Sequence, residues 1–130
     1  MKYASTRQRN EWEDDRVNPV LRRLVIEAQD YAALMGWVFT ATDVWRSEEE
    51  EKRYRSSGLH HAWRALDVRV RTGEWDDPGG LALATYMNTL WEYDPARPMM
   101  QCVLFKPHEN ATAPHVHFQV HPRTVRRTVE

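Results

Sequence analysis

Asn18-Pro19 opens and Gly36 closes an amphipathic stretch, and the run Trp37 to Trp45, rich in β-branched and aromatic residues, begins at the next residue. Asparagine caps the free N–H groups of a first helical turn, proline is tolerated at the first helical position, and glycine accepts the left-handed conformation that ends a helix. Between these signals Leu21, Leu24, Val25, Ala28, Tyr31, Ala32 and Met35 recur at three- and four-residue spacing, which is one face of a helix. A one-sided helix joined without a linker to a strand must bury its stripe against a sheet.

The rest of the chain extends that pattern. Ser47 followed by Glu48, Glu49 and Glu50 predicts a short helix to about Arg55, broken by Ser56-Ser57-Gly58. Ala65 to Arg71 alternates apolar and charged residues and predicts a strand. Thr72 to Gly80 carries turn signals, and Leu81 to Trp91 predicts a second long helix with Leu81, Leu83, Ala84, Met87, Leu90 and Trp91 inward. Met100 to Phe105 and His115 to Val120 predict two final strands, close enough to pair, on either side of a polar loop from Lys106 to Pro114. The expected architecture is α+β, a small, mainly antiparallel sheet with helices packed on one side. It occupies residues 18–122, with a polar N-terminal arm over 1–17 and a basic, frayed tail over 123–130.

With 130 residues there is room for one core and not two. The formal net charge of -1 gives no bulk attraction to nucleic acid or an anionic membrane. No stretch approaches the ~20 apolar residues of a membrane span, and the polar first sixteen residues lack the apolar region of a secretory signal. The chain is expected to be a monomer made in the cytoplasm, and something else must deliver it to any outside substrate. The single cysteine, Cys102, lies in an apolar run and is expected to be a buried, inert thiol.

The histidines carry the chemistry. His60 and His61 precede Asp67 by seven and six residues in a loop leading into the second predicted strand. His115 and His117 are two apart on a strand and so share a face. A catalytic zinc takes three nitrogen or oxygen ligands and leaves one position open. A loop histidine, a strand aspartate and a histidine from a neighbouring strand meet that count. A lone His-x-His is more often a surface feature, and His61, His108 and His121 have an exposed or supporting role as their simplest reading. Glu48 to Glu51 reads as a solvated helix start, Arg69 and Arg71 as water-facing, and most tryptophans as packing.

Three blocks, in order, resemble a known family. Asp43 to Glu51, containing Arg46-Ser47, resembles the "GYRS-x-x-x-Q" strand end of the zinc D-Ala-D-Ala carboxypeptidases and phage L-alanyl-D-glutamate endopeptidases. Ser57 to Asp67 resembles their "S-x-H-x-x-G-x-A-x-D" zinc motif, and Pro114-His115-Val116-His117-Phe118 their closing ligand strand. The resemblance spans roughly residues 18 to 120 and extends to the wider hedgehog/D-Ala-D-Ala-peptidase/lysostaphin fold group. It implies zinc held by His60, Asp67 and His117, with Arg46 binding substrate and stabilising the oxyanion, and His115 assisting the water that zinc activates. A second registration places His115 in the metal shell. The implied activity is hydrolysis of an amide bond in a peptidoglycan stem or cross-link peptide. The implied alternative is a zinc-binding structural or recognition module without catalysis.

Three departures bear on that reading. Trp63 stands where the motif has glycine, so it either reshapes the loop or lines the cleft. Ser57 is one residue further from His60 than in the motif. The family's acid three residues before the last zinc histidine is replaced by Pro114. His115 is then the first candidate for the general base, and Glu109 the second.

Overall fold

The computed structural model describes residues 1–54, 58–73, 78–107 and 113–127. In chain order its elements are β1 (Lys2–Tyr3), α1 (Thr6–Trp12), α2 (Pro19–Leu34), β2 (Val38–Asp43), α3 (Glu48–Tyr54), β3 (Ala65–Arg71), α4 (Gly79–Leu90), β4 (Trp91–Glu92), β5 (Val103–Lys106), β6 (His115–Gln119) and β7 (Val125–Arg126). A five-stranded sheet runs β1-β2-β3-β6-β5, and a second, two-stranded one pairs β4 with β7. Within the large sheet only β1 and β2 are parallel. The protein is thus α+β with a mainly antiparallel sheet, and β5 and β6 do pair.

The alternation in β3 separates the two faces of the sheet. Leu66, Val68 and Val70 join Phe39, Ala41, Val103, Val116 and Phe118 in one core, with Leu21, Leu24, Val25 and Ala28 of α2 and Leu83, Ala84 and Met87 of α4 packed over them. Asp67, on the strand between Leu66 and Val68, points to the opposite face, where His117 is its cross-strand partner. Asn18 caps α2 through its side-chain oxygen, which accepts from Val20 N and Leu21 N.

Three expectations are refined. First, residues 1–17, a polar arm expected to be ordered only if it docks on the domain, do dock. β1 adds to the sheet, Trp12 and Val17 enter the core, and Arg7 bonds Glu50 of α3 and the Trp45 carbonyl. With two anchoring apolar residues in a polar segment, periodicity had no stripe to detect. Second, α4 begins at Gly79, not Leu81, and ends before Trp91. The two glycines that read as turn signals are instead close contacts: a Cβ on Gly80 would lie 2.8 Å from the Phe105 ring. Leu81 is 57% exposed rather than inward, and Trp91, though buried, belongs to β4. Third, the tail is not frayed as far as it is described. Val125–Arg126 pairs with Trp91–Glu92, and Arg126 and Arg127 bond Glu27 and Glu92 at 2.7 and 3.0 Å.

Cys102 is fully buried, and that burial pushes its thiol up to about 12. Among the described residues no helix is long and apolar enough to cross a membrane.

Candidate metal centre

A β-bulge sets the site. Ala41 pairs with Val68, but the next registered pair is Asp43 with Asp67, so Thr42 is the extra residue of β2. A bulge turns the following side chain to the other face, and Asp43 thereby leaves the core side and comes beside Asp67. Arg46, just past the strand, bridges the two acids: Nε lies 2.6 Å from Asp43 Oδ2 and Nη2 3.2 Å from Asp67 Oδ2. Glu51 of α3 adds a third carboxylate, 3.8 Å from Arg46 Nη1. It is only 8% exposed, and neither of its oxygens has a hydrogen-bond partner. The solvated reading of this helix start therefore holds for Glu48 and Glu49, which are exposed, and fails for Glu51.

The loop that carries His60 ends in a turn with its own constraint. Trp63 N–H donates to His60 O and Arg64 N–H to Leu59 O, at 3.1 and 2.9 Å. These are the paired bonds that close a helical turn through a left-handed residue. That residue is Trp63, with φ +61°, the one described non-glycine residue at positive φ. A left-handed side chain costs roughly 1–2 kcal/mol, which explains why glycine suits this position. Packing offsets the cost here. Trp63 stacks on Trp45 with centroids 5.6 Å apart, and Arg16 lies 4.5 Å over its ring. Trp63→Gly should therefore be more stable than Trp63→Ala by about 1 kcal/mol, although both lose the stack and fall below the parent chain. Urea unfolding of the three proteins checks this, and an alanine variant as stable as the glycine one would mean the turn stores no strain.

His60, Asp67 and His117 converge, with one potential ligand atom from each lying within 4.8 Å of the others. The surrounding bonds assign the protons. His60 Nδ1 lies 3.0 Å from the Val44 carbonyl, which only accepts, so Nδ1 carries the hydrogen and Nε2 a lone pair. Gln119 donates its amide to Gln101 O, which turns its own oxygen to His117 Nε2 at 3.2 Å. His117 Nδ1 then presents a lone pair to Asp67 Oδ1 at 2.8 Å. His60 Nε2 sits 3.4 Å from Asp67 Oδ2, buried and without a hydrogen bond. Two imidazole lone pairs facing a carboxylate repel each other unless a cation or protons lie between them.

Charge points the same way. Among the described residues Asp43, Asp67 and Glu51 face one guanidinium, leaving the cluster doubly negative when the imidazoles are neutral. Burial pushes the Asp67 carboxyl up, but the His117 and His60 imidazoles beside it outweigh that and hold the group well below the usual carboxylate range. Burial disfavours a charged His60, yet Asp67 beside it raises its pKa above 6.5. These residues could hold a metal ion.

The other expected site residues fall around this group. His115 is outside it, donating Nδ1–H to Ala113 O at 3.2 Å. His61 turns away to donate to the Arg46 carbonyl at 2.9 Å and packs on Trp45. His121 packs on Tyr93, beyond the end of β6. His108 and Glu109 lie outside the described residues. Gln119 was legible as the next residue on the His117 face, whereas Asp43 was hidden by the bulge and Glu51 by its acidic neighbours. Two clefts, of about 320 and 350 Å³, meet at Arg46, Asp67 and His115. Comparison with known proteins gives no match: no family model, no curated protein and no solved structure is significantly similar to the chain.

Proposed function

We propose that the chain is a zinc-dependent peptidase that hydrolyses an amide bond in peptidoglycan peptides, with a fold of the hedgehog/D-Ala-D-Ala-peptidase kind. The observation that carries this reading is the convergence of His60 Nε2, His117 Nδ1 and Asp67, each imidazole held by an outer hydrogen bond in the tautomer that leaves a lone pair facing inward. Two nitrogens and a carboxylate oxygen are a donor set zinc favours, and three protein ligands leave a position open for chemistry. When bound, zinc would supply Lewis-acid polarisation and activation of water.

The chain's own residues supply the rest. Val44 O and Gln119 orient the two ligand histidines, as supporting groups around metal sites do. Asp43 holds Arg46 at the junction of the two clefts, where its guanidinium orients the substrate carbonyl and stabilises negative charge developing on its oxygen. His115 bonds through Nδ1, which leaves Nε2 to take a proton from the attacking water and return it to the leaving amine. Glu109 is the other candidate for that proton transfer.

Digestion of purified cell wall tests the reading. We expect new amino groups in the presence of zinc and none after chelation. His117→Ala should lose metal and activity together, and His115→Ala should lose turnover by a factor of about 10² while keeping its metal. A chain that holds one zinc but releases no amines from walls of several species is a binding module, the reading favoured by Pro114 in place of an acid. A chain that holds no stoichiometric metal fits neither.

A further inference from the structure

On the open face of the sheet, side chains stand in rows that cross the strands. One row is Asp43, Asp67, His117 and Leu104, set by the pairs Asp43–Asp67, Asp67–His117 and Leu104–His117. Two residues along, and so ~7 Å away, comes the next. Thr40 pairs with Arg69, and Lys106 pairs with His115. Continuing the β3–β6 ladder one step beyond Val68–Val116 sets Arg69 beside His115. The second row is thus Arg69, His115 and Lys106, a guanidinium and an ammonium on either side of the histidine that separates the clefts. Arg69 and His115 line one cleft, and Lys106 and His115 the other.

Among the described residues neither cation is tied to an acid. Arg46, by contrast, is held by Asp43 and Asp67, and Arg126 by Glu27. Among the described residues Arg69 and Lys106 have no ion-pair partner, and the nearby acids Asp43, Asp67 and Glu51 are already committed to Arg46 and the histidines. Arg69 is half-buried, so its side chain is confined to the cleft wall rather than spread in solvent. Two unpartnered cations next to a metal row are an anchor for an anion on the substrate itself.

We propose that Arg69 and Lys106 form a carboxylate-binding row that selects peptides bearing a free acid within one or two residues of the scissile amide. This rests on the reading of the protein as a wall peptidase and specifies its substrate as the acidic, non-amidated stem. The anchor is a specificity device on the row beside the metal ligands, flanking His115.

The test compares two stem tetrapeptides, identical except that the glutamate carries a free α-carboxylate in one and a carboxamide in the other. Their binding to the zinc-loaded chain is measured by calorimetry. The acid should bind about tenfold more tightly. Arg69→Gln and Lys106→Gln should each narrow that preference and together abolish it, with zinc content and melting midpoint unchanged. Equal binding of the two peptides, binding of neither, or a preference that survives the double substitution overturns the proposal. If walls are digested without any preference for the acid, only the anchor falls. If the preference holds and no amide is cut, the peptidase reading falls and the anchor stands.

Discussion

Replacing Asp67 by asparagine should abolish stoichiometric metal binding while leaving the chain folded. Asp67 is 6% exposed and is the only described carboxylate in contact with both His60 and His117. Asparagine keeps its shape and removes its charge. Changes to residues that merely support metal ligands already weaken binding 10–100-fold, so loss of the ligand charge itself should exceed about a hundredfold. The fold should tolerate the change for a specific reason. The asparagine N–H₂ can donate to one of the imidazole lone pairs that a carboxylate repels, and Arg46 keeps Asp43 and Glu51 as partners. The metal-free variant should therefore unfold within about 1 kcal/mol of the metal-free parent. Native mass spectrometry and urea unfolding give the two readouts. A variant that still carries one metal per chain with the parent's affinity would show that the ion sits elsewhere.

The second large effect is a reversal of pH dependence on adding metal. In the metal-free chain His60 is raised above its ordinary value because Asp67 outweighs the burial that opposes its charge. A group raised in the folded state contributes stability that is complete below its unfolded value and is lost as pH rises through the folded one. The chelated chain should thus melt higher at about pH 6 than at about pH 8. Asp67, held well below the usual range, stays ionised throughout that window, and its contribution disappears only in far stronger acid. The loaded chain should do the opposite, because protons on the ligand imidazoles displace the metal as pH falls. With metal at a hundred times its dissociation constant, the added stability is about 2.7 kcal/mol, which for a chain of this size is a melting difference of about 10 °C at pH 8. That gap should close near about pH 5.5, and parallel pH slopes with and without chelator would contradict a metal at His60.

The outline of both fold and site was written locally. Asn18, Pro19 and Gly36 mark the ends of α2 because caps and left-handed stops act within one turn. The pairs Leu66/Asp67 and Val116/His117 assign opposite faces because strand side chains alternate at every residue, wherever the strand lies. The same rule put His115 and His117 on one face.

Other features depend on partners distant in sequence. The bulge at Thr42 exists only because β2 must register against β3, and it alone turns Asp43 to the metal side. Glu51 is indistinguishable from its acidic neighbours until α3 settles near Arg46. The first seventeen residues read as polar because their two core anchors, Trp12 and Val17, follow no period, and β7 reads as frayed because its partner, β4, lies more than thirty residues earlier. Local sequence determined which residues form helices and strands and which side chains share a face, since those rules operate over one turn or one pleat. Only the tertiary structure decided which faces meet, which acids become buried, and which nitrogen of each site histidine is left without its proton, since those depend on register and on hydrogen-bond partners that the fold brings from elsewhere.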